Sequence, residues 1–435
     1  GIGDYLYDNH LVELDLDGNG SDSRPRTSGD ANPYAQYVER EHYEFNTKLL
    51  SSAYLQYEII DGLTAKTSLG LTIEQRKRTR WDGTKHHAAG NSRAQYLLNN
   101  RFRTRIISDN TLLYNKQIGD HDFSALVGVT IQKRKEEISQ ITGTGYSNDL
   151  LKNLQGATTI VNDGEINIVK NKIGYFGRIN YAFANKYLIS ASFRRDGSSV
   201  FGVDSKWGNF PALSLGWNAH NESFLNENEV LSKLKFRVSY GLTGAENFNV
   251  GSASVNAWPY LAQLTNTNSI INNNISAGNS PLNIANALLQ WEASEEFNPG
   301  IDFGLFNNRI TGSLDYYKRT SDKLLLNNPV SYVTGFNNGI VNLGKVANSG
   351  FEFELRTKNV TSENFSWSST LIASTNKNEL LDYGESNGAL TEDAFGRSSQ
   401  WINLVGNPIS SFYGYVVDKE LANEYWNSPW IPING

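Results

Sequence analysis

Between Tyr187 and Trp217 hydrophobic and polar positions alternate with period two. Tyr187, Ile189, Ala191 and Phe193 share one phase, and Ser190, Ser192 and Arg194 share the other. After a polar loop, Leu213, Leu215 and Trp217 alternate with Ala212, Ser214 and Gly216. Successive strand side chains point to opposite faces, so each stretch predicts a β-strand with one apolar face. The pattern recurs in pairs. Ala53, Leu55, Tyr57 and Ile59 lead into Asp61 and Gly62, a hairpin signal, and Leu63, Ala65, Leu69, Leu71 and Ile73 return. Leu112 and Tyr114 precede Phe123, Ala125, Val127, Val129 and Ile131; Ile173, Tyr175, Ile179, Tyr181 and Phe183 precede the Tyr187 strand. Leu234, Phe236, Val238 and Tyr240 follow, then Phe297, Ile301, Phe303 and Leu305 with Ile310, Leu314 and Tyr316. Phe351, Phe353 and Leu355 pair with Phe365, Trp367 and Leu371. About twelve strands are predicted, with a thirteenth expected near 411–417.

Most of these stretches run to about ten residues or more, against roughly 5–6 for globular strands and roughly 9–11 for a tilted membrane strand. Their connections sort by length. Tight turns fall at 61–62, 117–121, 184–186 and 307–309, and long polar links at about 79–94, 139–168, 245–288 and 323–339. Short turns on one rim and long loops on the other form the pattern of an outer-membrane barrel.

Charge placement gives the sidedness. Lys172, Arg178, Lys235, Arg237, Asp302, Asp315, Glu352, Glu354 and Arg356 all occupy the polar phase of their strands. Glu295 is the clear exception. A charged side chain facing lipid at mid-depth costs about 2–4 kcal/mol for Lys or Arg and less for Glu, so one exception near a rim is tolerable. A soluble sandwich or solenoid also alternates on one face, but strand length and the short/long rhythm argue against it. The apolar phase is therefore expected to meet lipid and the Ser, Gly and Arg phase a water-filled lumen.

Composition fits. Aromatics make up 12% of the 435 residues and only 39% are hydrophobic, as expected when every second strand residue meets lipid. No apolar run reaches the roughly 20 residues of a membrane-crossing helix. A formal charge of −6 gives no electrostatic case for nucleic acid, and zero Cys excludes disulfides and thiolate metal sites. The opening "GIGDYLYDNH" is neither basic nor apolar, so residue 1 is expected to be an interior start.

Several stretches go beyond pattern: "RRDGSSVFGVDSKWGNFPALSLGW", "LKFRVSYGLTG", "LQWEASEEFNPGIDFGLFNNRITGSLDYYKRTSDKLL", "VNLGKVANSGFEFEL" and "SGDANPYAQY". Across most of residues 28–418 the chain resembles the SusC/RagA family of TonB-dependent outer-membrane transporters of the Bacteroidetes. The resemblance implies an all-β, transmembrane antiparallel β-barrel of 22 strands with an N-terminal plug. It further implies a SusD-like surface lipoprotein, energy from the TonB–ExbB–ExbD complex, contact with outer-membrane lipid and lipopolysaccharide, and glycan or peptide cargo. Nothing here resembles the plug, and "ANEYWNSPWIPING" does not look like a closing strand. Residues 1–435 are accordingly expected to be a partial barrel domain, the middle portion of a longer polypeptide.

Candidate chemistry is sparse. Asp15, Asp17, Asn19 and Gly20 fit the first half of a calcium loop, but Arg26 stands where a bidentate Glu is needed, which favours a polar turn. His86 and His87 are neighbours in a predicted loop and point apart. No catalytic motif appears, so neither enzyme activity nor a cofactor is expected. The "RRDGSSVFG" loop reads as a structural turn rather than a ligand clamp. Candidate cargo contacts are Trp81, Trp258 and Tyr260 in the long links, where rings could stack on sugars or peptide side chains. Two functions stay open: active import through a SusC-like barrel, or a non-transporting barrel acting as a structural subunit of an outer-membrane complex such as a protein-export machine.

Overall fold

The computed structural model describes residues 37, 39–84, 94–225, 229–246, 258–271, 274–336, 338–384, 388–391 and 401–414. The long strands are β1 (Arg40–Ile60), β2 (Leu63–Asp82), β3 (Gln95–Ile118), β4 (His121–Thr144) and β5 (Thr159–Phe183). Shorter ones follow: β6 (Tyr187–Ser198), β7 (Trp207–Asn218), β8 (Leu231–Ala245), β9 (Leu264–Ile271), β10 (Asn274–Pro281), β11 (Glu292–Leu305) and β12 (Ile310–Asp322). The rest are β13 (Leu325–Pro329), β14 (Asn338–Asn342), β15 (Lys345–Thr361), β16 (Ser366–Ser374), β17 (Lys377–Asp382), β18 (Gly388–Thr391), β19 (Trp401–Leu404) and β20 (Ser411–Phe412).

One sheet dominates the described residues, in the order β1-β2-β3-β4-β5-β6-β7-β8-β11-β12-β15-β16, with β17 also paired to β15. These twelve consecutive neighbours are the twelve strands that alternation predicts. The thirteenth is displaced. Residues 411–412 form β20, which pairs with β19 in a separate small sheet. The extra strand of the main sheet is β17, which continues β16 along β15 after a break at Thr375 and Asn376: Ser374 faces Glu352, and Lys377 faces Ser349. Gly350 makes room for the break, since a Cβ there would lie 1.9 Å from the Thr375 carbonyl oxygen.

The turns explain the tight rim. At the β5–β6 connection Ala184 and Asn185 take φ of 51° and 53°, and Lys186 N–H donates to Phe183 O at 2.8 Å. Consecutive left-handed residues match the twist of paired strands. Asn307 and Asn308 do the same between β11 and β12, with φ of 54° and 57°. Asn tolerates this region because its short polar side chain can bond locally.

The chain divides into two compact units, residues 1–56, 66–110 and 130–173, and residues 57–65, 111–129 and 174–435. In the second, the buried apolar cluster lies in the connections between main-sheet strands. It comprises Val200, Phe201, Leu289, Trp291, Leu325 and Ile340, with Phe210 and Tyr260 against it. The strands' own apolar phase is uncovered: Leu213, Leu215 and Trp217 are 48%, 45% and 37% exposed, and Tyr187, Ile189 and Phe193 are exposed too. No second protein layer covers these residues among those described. A contiguous apolar belt of this extent is not a water-facing surface.

Candidate functional site

The polar phase carries the chemistry. In the second unit, Arg237 of β8, Asp302 of β11 and Asp315 of β12 form one ion cluster. Arg237 NH2 lies 3.1 Å from Asp302 Oδ1 and donates to Asp315 Oδ2 at 2.8 Å. Glu354 and Arg356 pair on β15. Beside the cluster a cleft of about 380 Å³ is lined by Ser190, Ser214, Lys235, Arg237, Ser239 and Asn298 among others. Small residues on this phase leave the space, and charged ones keep it wet.

The first unit holds a denser array on β1–β4. Lys48 Nζ lies 2.9 Å from Glu74 Oε1, and Arg78 Nε 3.3 Å from Glu44 Oε2. Arg103 bridges Glu74 at 3.1 Å and Glu136 at 3.3 Å. Arg134 NH2 reaches Glu136 at 2.6 Å, Arg101 pairs with it as well, and Arg105 donates to Gln132 at 2.9 Å. Glu136 is 2% exposed, so its charge depends on these guanidinium groups. A cleft of about 330 Å³ opens among Glu44, Lys48, Glu74, Arg76, Arg101 and Arg103.

The stretch "RRDGSSVFG" is structural, as its turn chemistry suggests. Arg194 Nε donates to Asp196 at 2.7 Å and its guanidinium lies 5.4 Å from the Phe176 ring centre. Val200 and Phe201 are buried, and Trp291 Nε1 donates to Lys206 O at 3.1 Å, tying the loop to β11. Glu295, the charge on the apolar phase, lies near the start of β11 and accepts from the Tyr240 hydroxyl at 3.2 Å.

The candidate cargo residues are not brought together as an open platform. Trp81 belongs to the end of β2 rather than to a loop; it is 3% exposed, with Tyr146 edge-on at 4.7 Å between ring centres. Its ring presents no face to a ligand in this conformation. Tyr260 packs on the buried link cluster, and Trp258 lies two residues before it, half-buried. Asp15, Asp17 and Asn19, like His86 and His87, fall outside the described residues. Among the described residues no three His, Asp or Glu side chains are grouped to hold a metal.

Over residues 1–430 the sequence matches the family described as TonB dependent receptor-like, beta-barrel. The chain belongs to that family. TonB-dependent receptor P3 of Formosa agariphila is 30% identical over 389 residues, covering 88% of this chain and 38% of that protein. TonB-dependent receptor SusC of Bacteroides thetaiotaomicron is 34% identical over 259 residues, covering 56% of this chain and 25% of SusC. Among solved structures, the RagAB peptide transporter superposes with a TM-score of 0.75 at 22% identity, over 93% of this chain and 42% of that one. The chain thus spans well under half the length of these relatives.

As a TonB-dependent receptor barrel segment it is an outer-membrane protein, and its apolar phase is the lipid-facing one. Aromatic pairs on that phase mark two levels. Trp217 stacks with Phe236 at 5.5 Å and Phe183 with Tyr187 at 6.5 Å, near the short turns. Tyr175 stacks with Trp207 at 6.1 Å, and the Arg195 guanidinium lies over that indole at 5.1 Å. On β5 the levels fall at Tyr175 and Phe183, which are about 26 Å apart along a strand rising about 3.3 Å per residue. With the usual tilt of about 35–45° the two levels lie about 19–22 Å apart along the barrel axis, a little inside the apolar band of about 25 Å that aromatic girdles flank.

Proposed function

We propose that this chain is part of the wall of a SusC-like TonB-dependent transporter that imports glycans or peptides across the outer membrane. The observation that carries the reading is the two-sided sheet: an uncovered apolar phase on one face, and paired charges with small residues on the other. Such a wall suits a lumen too wide to stand open, which needs a plug at rest and outside work to open it. A SusD-like lipoprotein as the surface partner and TonB–ExbB–ExbD as the energy source accord with the family and with the likeness to SusC. Residues 1–435 then form a partial barrel domain, with a plug and further strands supplied by the rest of the polypeptide. Two facts support this: β1 and β16 each pair on one side only among the described residues, and an unpaired edge in lipid leaves backbone groups unsatisfied.

The test is uptake of labelled glycan and peptide mixtures by cells making the full-length protein, with and without TonB. Import should stop without TonB. Unchanged uptake of every cargo would overturn the reading and leave the barrel a structural role.

A further inference from the structure

On the polar face of β1–β4, seven cations stand around three carboxylates. Lys48, Arg78, Arg101, Arg103 and Arg134 pair with Glu44, Glu74 and Glu136, and Arg76 and Arg105 stand beside them, so the face carries a surplus of positive charge. Several donors are unsatisfied. Among the described residues Nε of Arg76 and Nε of Arg134 are buried without a hydrogen-bond acceptor, and Arg105 bonds a neutral amide, Gln132. The array borders an open cleft, and the Arg101, Arg103 and Arg134 side chains remain 31%, 27% and 35% exposed. Arg76, Arg101, Arg103 and Lys48 line this cleft, so a carboxylate entering it meets a cationic wall.

We infer that this face is a binding station for acidic peptide cargo; the inference rests on the transport reading above. Spacing favours a peptide over a glycan. Arg101, Arg103 and Arg105 occupy alternate positions of β3, about 6.6 Å apart along the strand. Alternate side chains of an extended peptide repeat at that same distance, so carboxylates on one side of the cargo meet successive guanidinium groups in register. Arg105, which bonds the neutral Gln132 amide, can take a carboxylate with two parallel N–H bonds, while Arg101 and Arg103, held by Glu136, add attraction at the neighbouring positions. The Glu residues already present hold the arginines in place without neutralising the set.

The experiment uses the purified full-length protein in detergent. Its probes are an extended ten-residue peptide with Glu at alternate positions, the same peptide with Gln, and an oligogalacturonate of equal charge. The acidic peptide should bind about tenfold more tightly than its Gln counterpart at low salt. Arg76→Gln with Arg105→Gln should remove most of that preference. These two positions are chosen because the ion pairs to Glu44, Glu74 and Glu136 described above do not involve them; should the double variant misfold, Arg105→Gln alone carries the test with a smaller loss. Equal affinity for both peptides in the unmodified protein, or a full preference retained in the variant, would overturn the inference. So would tighter binding of the oligogalacturonate. Binding is read without transport, so uptake that continues unchanged without TonB would defeat only the transport reading.

Discussion

Arg237 and Asp315 pair across an entire intervening strand. They stand on β8 and β12, and β11 between them presents Gly300 directly opposite both. The contact is two-pronged, with NH1 2.6 Å from Oδ1 and NH2 2.8 Å from Oδ2. A Cβ on residue 300 would come within 2.4 Å of Asp315 Oδ1 and 2.8 Å of the Arg237 guanidinium. Gly300→Ala should therefore force the pair apart and lower stability by about 1–3 kcal/mol, read as a fall in melting temperature of the detergent-purified protein. An unchanged melting temperature would show that the pair has room to move.

Leu213 and Ser214 are chain neighbours on opposite faces of β7, and the same substitution should split them. Leu213→Arg puts a cation against lipid and should cost about 2–4 kcal/mol, with a corresponding drop in the yield of folded barrel. Ser214→Arg enters the wet cleft beside Arg237 and should fold at nearly the parental yield. Comparable losses for both would contradict the sidedness.

The twelve strands of the main sheet were readable because lipid imposes contrast on them. Where that contrast ends, so did legibility. Strands β1–β5 reach 20–25 residues, about twice a membrane span, and toward the far ends of β2 and β4 both phases turn polar, with Arg76, Arg78, Arg134 and Glu136 on one and Lys77, Lys133, Lys135 and Ser139 on the other. Hence the link expected at 139–168 shrinks to 145–158. The hairpin β9–β10 lies within one predicted link and β13–β14 begins within another, each with Asn on both faces. The arginine array of β2 and β3 was missed for the same reason. Its trace was present as "EQRKRTR" and "RFRTR", with Arg76, Arg78, Arg80 and then Arg101, Arg103, Arg105 on alternate positions. Burial of Trp81 beneath Tyr146 depends on a contact 65 residues away, which no local pattern encodes.

Trp291 ties the segment before β11 to the β6–β7 loop and the start of β7, which are distant in sequence. It packs on Phe201 at 5.2 Å between ring centres and on Phe210 at 5.6 Å, and bonds Lys206 O. Trp291→Ala should cost about 3–5 kcal/mol within this cluster. Limited trypsin digestion should then cut after Lys206, a bond that stays protected in the unmodified protein.

Glu222, in the turn between β7 and β8, titrates unusually low. The Tyr187 hydroxyl, the Lys186 ammonium and the Trp217 indole N–H all donate to it, bringing its pKa down from 4.5 to about 2. A lowered folded-state pKa means the stabilisation is complete above pH 4.5 and is lost as pH falls from there toward 2. The difference in melting temperature between the unmodified protein and Glu222→Gln should be constant at neutral pH and narrow across that acid window. A difference independent of pH down to 2 would show that these donors do not hold the carboxylate.

The central claim is that alternate side chains of one strand see hydrocarbon and water. Residues 1–435 contain no cysteine, so with any cysteine elsewhere in the full-length protein replaced, single cysteines can be placed from 212 to 217 along β7, spin-labelled and reconstituted in lipid. Accessibility to oxygen, which concentrates in lipid, should peak at 213, 215 and 217. Accessibility to a water-soluble nickel chelate should peak at 212, 214 and 216. Both probes following one smooth curve, or positions 213, 215 and 217 shielded from oxygen, would contradict the account.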